Sequence, residues 1–341
     1  MTVKANATLF LSLLLVIGIT GCKKNSFNVD ISGIKYNLTI RDLGADIFNL
    51  SPPEVAAAVE PLKAEYGDIL QSYSLALGLG DPSSPQWNKA FVTYATDLNN
   101  AEVWDEVRKQ WPSTEPLRAE LEKAFRHYLY YFPDKKVPRI VTCITSFNNS
   151  LIVSDSLILI SLDRYLGSKC KYYPSMGFYE YQARRMTPAY TVTDCLYGWA
   201  STEWDYNYMA YGQKNLLSSI LHEGKLAYML HCMVPEASDT LIFGYSKKQL
   251  EFCQDNEKRM WDYLVSHDML FSTDGFLIRK FTGESPFTSY FTEESPGKAV
   301  VWNGYRIIAS YMRNNPKVSL EEMMSLTDCQ AILSGARYRP R

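Results

Sequence analysis

The side chains best able to do chemistry sit in one stretch, Leu216 to Leu230, where His222 and Glu223 stand next to each other. A catalytic zinc helix carries the pattern H-E-x-x-H. Two histidines four apart share a helix face and ligate one metal, and the glutamate deprotonates a bound water. His222 supplies the first histidine and Glu223 the base, but the second ligand position holds Leu226, which has no donor atom. His231 follows His222 by nine residues, and nine steps of about 100° turn it to nearly the opposite helix face. His127 and His267 are remote in sequence, and their neighbours suggest no metal site. The pattern predicts the remnant of a metal site in His222 and Glu223, with no catalytic residue, no metal and no cofactor. The two side chains then form a buried polar pair satisfied by neighbouring groups, with Lys225 as an ion partner. The alternative is a zinc metallopeptidase with an atypical ligand set.

A second reactive group is Cys22. Lys4 precedes an apolar run from Leu9 to Ile19, about a dozen residues, which is short for a membrane span. The run ends in Ile19-Thr20-Gly21-Cys22, which resembles the lipobox of bacterial lipoproteins. In such signals cleavage falls before the cysteine, whose thiol receives a diacylglycerol. Two chains on the thiol and one on the amine anchor a protein stably, where a single chain is marginal. An ordinary secretory signal with a chance cysteine is the plainer alternative. Lys23-Lys24 follow in place of the aspartate that often retains lipoproteins in the inner membrane. The expectation is a cell-envelope protein, lipid-anchored on the periplasmic face of the outer membrane. Its partners would then be the membrane, through the lipid, and other envelope proteins. The six remaining cysteines are widely spaced without a C-x-x-C pair, so neither a zinc knot nor thioredoxin-like chemistry is indicated.

These groups need a scaffold. Residues 1–21 read as a signal peptide, 22–36 as a lipidated tether, and 37–341 as one domain. Ser51-Pro52-Pro53-Glu54 opens a series of helices over 51–132. Short β-branched runs between 138 and 162 (RIVTCI, LILIS), with Asn148-Asn149 and Asp155-Ser156 between them, predict a small antiparallel sheet. The nearly continuous apolar stretch over 214–233 predicts a buried central helix. C-terminal helices follow over 246–330, the first read as one helix from Ser246 to Leu264. The fold class is α+β and mainly helical, with the sheet packed beside the long helix. A formal charge of −2 gives no electrostatic reason to bind nucleic acid, and no glycine-rich phosphate loop is present. The 24 tyrosines and 7 tryptophans serve either packing or the stacking of a glycan.

The lipobox, the L-x-H-E-G-K core from Leu221 to Lys225 and the helix-ending Pro235 resemble the gliding-motility lipoprotein family GldB. So do Phe243-Gly244-Tyr245-Ser246, Trp261 and Ser285-Pro286-Phe287-Thr288-Ser289. Glu294-Ser295-Pro296-Gly297, Trp302-Asn303-Gly304-Tyr305-Arg306-Ile307-Ile308 and Tyr311-Met312 complete the set, in the same order. The resemblance implies a degenerate zincin-like domain and a non-enzymatic lipoprotein that serves gliding or protein-secretion machinery as scaffold or accessory component. A glycan-binding lipoprotein is a further alternative.

Overall fold

The computed structural model of the chain describes residues 27–340. Cys22 and the signal segment lie outside the described residues. Four strands form one sheet: β1 (Ile40–Asp42), β2 (Arg139–Cys143), β3 (Leu151–Ser154) and β4 (Leu157–Ser161), in the order β1-β2-β4-β3. The sheet is mixed, which corrects the antiparallel expectation. β1 runs parallel to β2, and β2 parallel to β4 with Ile140 opposite Ile158. Only the β3–β4 hairpin, turning at Asp155-Ser156, is antiparallel. The reason lies in the strands themselves. β4 is buried along its whole length and β2 at every residue but Arg139. Continuous apolar runs covered on both faces are the mark of parallel central strands.

Helices cover both faces. On one side Val141, Cys143, Leu157 and Leu159 pack against Val55, Tyr66, Leu70, Trp87 and Phe91 of the N-terminal helices. On the other, Ile140, Ile158 and Ile160 meet Phe125, Tyr128, Leu196, Trp199 and the central helix. The loop after β2 holds Ser146 and Phe147 at positive φ, 51° and 64°. Asp163, wholly buried, accepts hydrogen bonds from the backbone N–H groups of Thr145 and Phe147, the latter at 2.6 Å. Its carboxyl is pushed up to about 6 by burial, against the pull of those N–H donors.

The central helix spans Leu216–Met233 and begins with a reciprocal cap. Asn215 accepts from Ser218 N–H at 2.9 Å, and Ser218 Oγ accepts from Asn215 N–H at 2.9 Å. Two first-turn N–H groups donate outside the helix, Leu216 to Ser272 O and Leu217 to Leu270 O. Every residue of this helix is buried except Ser219, Glu223 and Tyr228. Its main neighbour is the helix Val300–Asn314, and they cross glycine to glycine. A Cβ on Gly224 would lie 2.3 Å from the Gly304 carbonyl carbon, and one on Gly304 would lie 2.1 Å from Ile220 O.

Other expectations shift in detail. The residues after β1 form a short helix, Leu43–Phe48. The predicted helix from 246 to 264 is two, Lys247–Asp255 and Glu257–Ser266, broken at Asn256. The described part of the predicted tether, 27–36, lies against the body: Phe27 packs on Tyr228 and His231, and Arg126 donates to Tyr36 O. The six cysteines of the described chain are free thiols. Cys143, Cys195, Cys232 and Cys253 are buried, Cys170 and Cys329 half-buried. Among the described residues no helix is long and apolar enough to cross a membrane.

Candidate functional site

Adjacent helix residues diverge by about 100°, and here that separates His222 from Glu223. His222 turns into the core, 4% exposed, where its Nδ1 shares a 3.2 Å hydrogen bond with the Tyr211 hydroxyl and its ring meets the edge of Tyr206. Burial, and secondarily the charge of Lys225, push its pKa down to about 4. Leu226, one turn on, is 1% exposed and part of the same core. The face that would carry two ligands in a zinc helix is therefore a packing face.

Lys225 is not the ion partner expected of it. Its Nζ donates to the carbonyl oxygens of Met324 and Leu326, at the C-terminal end of the helix Leu320–Ser325, and lies 5.6 Å from the Tyr211 ring centroid. A cation on the last carbonyls of a helix complements the helix dipole. Desolvation brings the ammonium down to about 8. Lys225 anchors the C-terminal helices.

Glu223 lies on the accessible stripe of the helix and opens on a cleft. The Tyr197 hydroxyl donates to its carboxylate at 3.0 Å. Burial raises its pKa, while Lys298 and Tyr197 oppose that rise. Around it stands a charge network absent from the sequence reading. Arg185 donates to Asp194 at 2.9 Å and to Glu284 at 3.2 Å, Lys298 pairs with Glu284 at 2.5 Å, and Tyr165 donates to Asp194 at 3.1 Å. Burial pulls Glu284 upward, but Lys298 and Arg185 together hold it below the usual carboxylate range. Asp194 is raised, because burial outweighs Arg185. Three carboxylates thus face two cations.

Local sequence builds this network. Asp194, Tyr197 and Gly198 share one face of the helix Pro188–Glu203, which starts on Pro188. The two motif segments around 285 and 295 clasp each other. Thr288 N–H and Oγ1 both donate to Pro296 O, and Ala299 N–H donates to Thr288 Oγ1. Gly297 is required there, since a Cβ would sit 2.1 Å from Ser285 O. The clasp sets Glu284 and Lys298 face to face, with Lys298 itself at φ 57°. Gly244 has φ 68°, and a Cβ on it would meet the Arg185 guanidinium at 2.8 Å. Four sequence segments singled out earlier (H-E-G-K, F-G-Y-S, S-P-F-T-S and E-S-P-G) therefore meet at one place. Glu284 directly precedes S-P-F-T-S and Lys298 directly follows E-S-P-G, which was the available signal for both.

Beside the network is a cavity of about 310 Å³ lined by Arg164, Arg185, Asp194, Tyr197, Glu284, Tyr181 and Gln182, with Ser150 and Leu151 of the β3 end closing one side. Tyr181 lies nearly parallel to the exposed Tyr179, ring centroids 6.1 Å apart. The W-N-G-Y-R segment lies elsewhere and is structural. Glu257, 3% exposed, accepts from Arg306 at 3.0 Å, Tyr338 at 3.0 Å and Trp302 at 3.3 Å, and Trp261 meets the Tyr338 ring edge-on.

The remaining histidines are scattered. His127 is buried on the helix Glu115–Tyr131, His231 stacks on Phe27 and on Tyr305, and His267 is exposed against Tyr263. Among the described residues no three His, Cys, Asp or Glu side chains are grouped so as to hold a metal ion. No curated protein and no solved structure matches the chain. The family model described as gliding motility protein GldB matches residues 24–340. With nearly the whole chain matched and its motifs gathered at one cleft, the protein belongs to the GldB family of gliding-motility-related lipoproteins.

Proposed function

We propose that this protein is a non-catalytic, lipid-anchored component of the cell envelope, held at the periplasmic face of the outer membrane through Cys22. There it serves a gliding-motility or protein-secretion machine as scaffold or accessory subunit. The observation that carries the non-catalytic part is the divergence of the half-motif. Leu226 fills the second ligand position inside the core, His222 is committed to Tyr211, and Glu223 is engaged by Tyr197 beside Lys298. A metal-activated water needs ligands on the helix face beside the base, and here the histidine faces the core and the second ligand position is a leucine.

Elemental analysis of purified protein tests this directly. The expected result is no stoichiometric zinc and no hydrolysis of generic peptides. One zinc per chain, lost in His222→Ala while the fold survives, would restore the metallopeptidase. For the anchor, Cys22→Ala is expected to abolish acyl labelling and leave an uncleaved or soluble species. Full labelling of that variant rejects the lipoprotein assignment.

One observation favours a second reading, a glycan-binding lipoprotein. Tyr181 lines a cavity whose Arg, Asp, Gln and Glu side chains suit vicinal hydroxyls, and its ring lies nearly parallel to that of the exposed Tyr179. Binding of a soluble peptidoglycan oligosaccharide that disappears in Tyr181→Ala would support it, and no binding at millimolar sugar would dismiss it.

A further inference from the structure

We infer that the C-terminal end of the central helix faces the lipid surface, and that a clasp of Phe27 on His231 fixes the body in that orientation. The inference rests on lipidation at Cys22. Phe27 stacks on His231 with ring centroids 5.3 Å apart and meets Tyr228 edge-on at 5.2 Å. His231 also stacks on Tyr305 at 4.8 Å, so its imidazole links Phe27 to the helix Val300–Asn314. The segment that follows Phe27 is pinned as well. Arg126 donates to Tyr36 O through Nε at 3.2 Å and Nη2 at 3.1 Å, and Leu38 N–H donates to Glu122 at 3.0 Å. The first described residue is therefore a fixed point on the body.

From that point the reach to the lipid is short. Five residue steps separate Cys22 from Phe27, and a fully extended chain covers at most about 3.5 Å per step, ~18 Å in all. A folded chain of this length has a radius of gyration of about 20 Å. A tether shorter than that radius cannot pass around the body, so the bilayer meets the hemisphere that carries Phe27. Tyr228 and His231 lie in the last two turns of the helix Leu216–Met233. Exposed Glu236, just past its end, belongs to the membrane side. The helix start, tied to Leu270 and Ser272, lies ~25 Å away along the axis by helical rise. Phe271, exposed between those two residues, belongs to the far side. Electrostatics adds little, since Lys123 and Glu236 on the near side neutralise each other at 2.7 Å. The lipid and the clasp set the orientation.

The test uses full-length acylated protein on phosphatidylethanolamine–phosphatidylglycerol vesicles containing nitroxide-headgroup lipid. A fluorescent amino acid is placed at position 236 or at position 271, and acylation is checked by intact mass. Quenching is expected to be several-fold stronger at 236 than at 271. A long Gly/Ser insertion between Ser26 and Phe27 should erase that contrast while leaving acylation and fold intact, and Phe27→Ala should weaken it. Equal quenching at both positions in acylated, vesicle-bound protein overturns the orientation alone. Contrast unchanged in Phe27→Ala overturns the role of the clasp. Protein that matures without an acyl group overturns the lipoprotein reading, and the orientation with it.

Discussion

Burial holds the His222 imidazole neutral down to about pH 4, against 6.5 in an ordinary setting. Between those values the unfolded chain binds a proton that the folded chain refuses. The stability linked to His222 is therefore complete above pH 6.5 and is lost as pH falls toward 4, by up to ~3 kcal/mol for a shift of this size. His127 and His231 are lowered by burial in the same sense, so the wild-type curve alone cannot isolate one of them. The difference can. Urea midpoints measured from pH 7 to 4.5 should fall more steeply for wild type than for His222→Gln, and parallel curves would refute the shift. At this scale the sequence exposed the half-motif but not its surroundings. The cap that Lys225 places on the Met324 and Leu326 carbonyls spans about a hundred positions, a separation no local pattern reveals.

The helix Leu216–Met233 and the helix Val300–Asn314 approach so closely at Gly224 and Gly304 that either added methyl would strike backbone, which cannot move aside as a side chain can. Overpacking a core ordinarily costs about 1–3 kcal/mol. Gly224→Ala and Gly304→Ala should each reach or exceed the top of that range, read as a loss of several degrees or more in Tm. Gly33→Ala, where nothing lies within 4 Å of the new methyl, is the control. The glycine of H-E-G-K is thus accounted for by helix crossing, independently of any chemistry at His222 or Glu223. The central helix was legible because its apolar run is long and its stop, Pro235, is explicit. Three of the sheet's four strands were legible, but neither their direction nor the membership of β1, which pairs with β2 from nearly a hundred residues upstream. At the break the Asn256 side-chain amide donates to Phe252 O at 2.9 Å, while Cys253 and Met260 on either side pack in one cluster with Trp302, and periodicity alone carries neither contact.

At the scale of the molecule, β2 and β4 contribute alternate residues to two cores, one under the N-terminal helices and one around the central helix. Neither core is complete without the strands it shares with the other. One cooperative transition is expected on that account. Phe91, fully buried and stacked on Trp87 at 4.6 Å, tests it, because Phe→Ala in a core costs about 3–5 kcal/mol. Phe91→Ala should lower the denaturant midpoint equally whether unfolding is followed by tryptophan fluorescence or by far-ultraviolet circular dichroism. Two separated transitions would mean that the N-terminal layer unfolds independently.

The free thiols bear on how such a chain survives export. Cys143, Cys195, Cys232 and Cys253 are buried, and burial pushes each well above the ordinary thiol range. A thiol that is neither ionised nor reachable does not take part in disulfide exchange. An oxidant meets these four sulfurs only in the unfolded chain, so on the proposed periplasmic placement maturation is a race between burial and oxidation, and a destabilised variant loses it by trapping wrong disulfides. Brief alkylation of the native protein should therefore modify only Cys170 and Cys329 among the described cysteines. All six should react in denaturant, and slow-folding variants recovered from the envelope should migrate as mixed disulfide species on non-reducing gels.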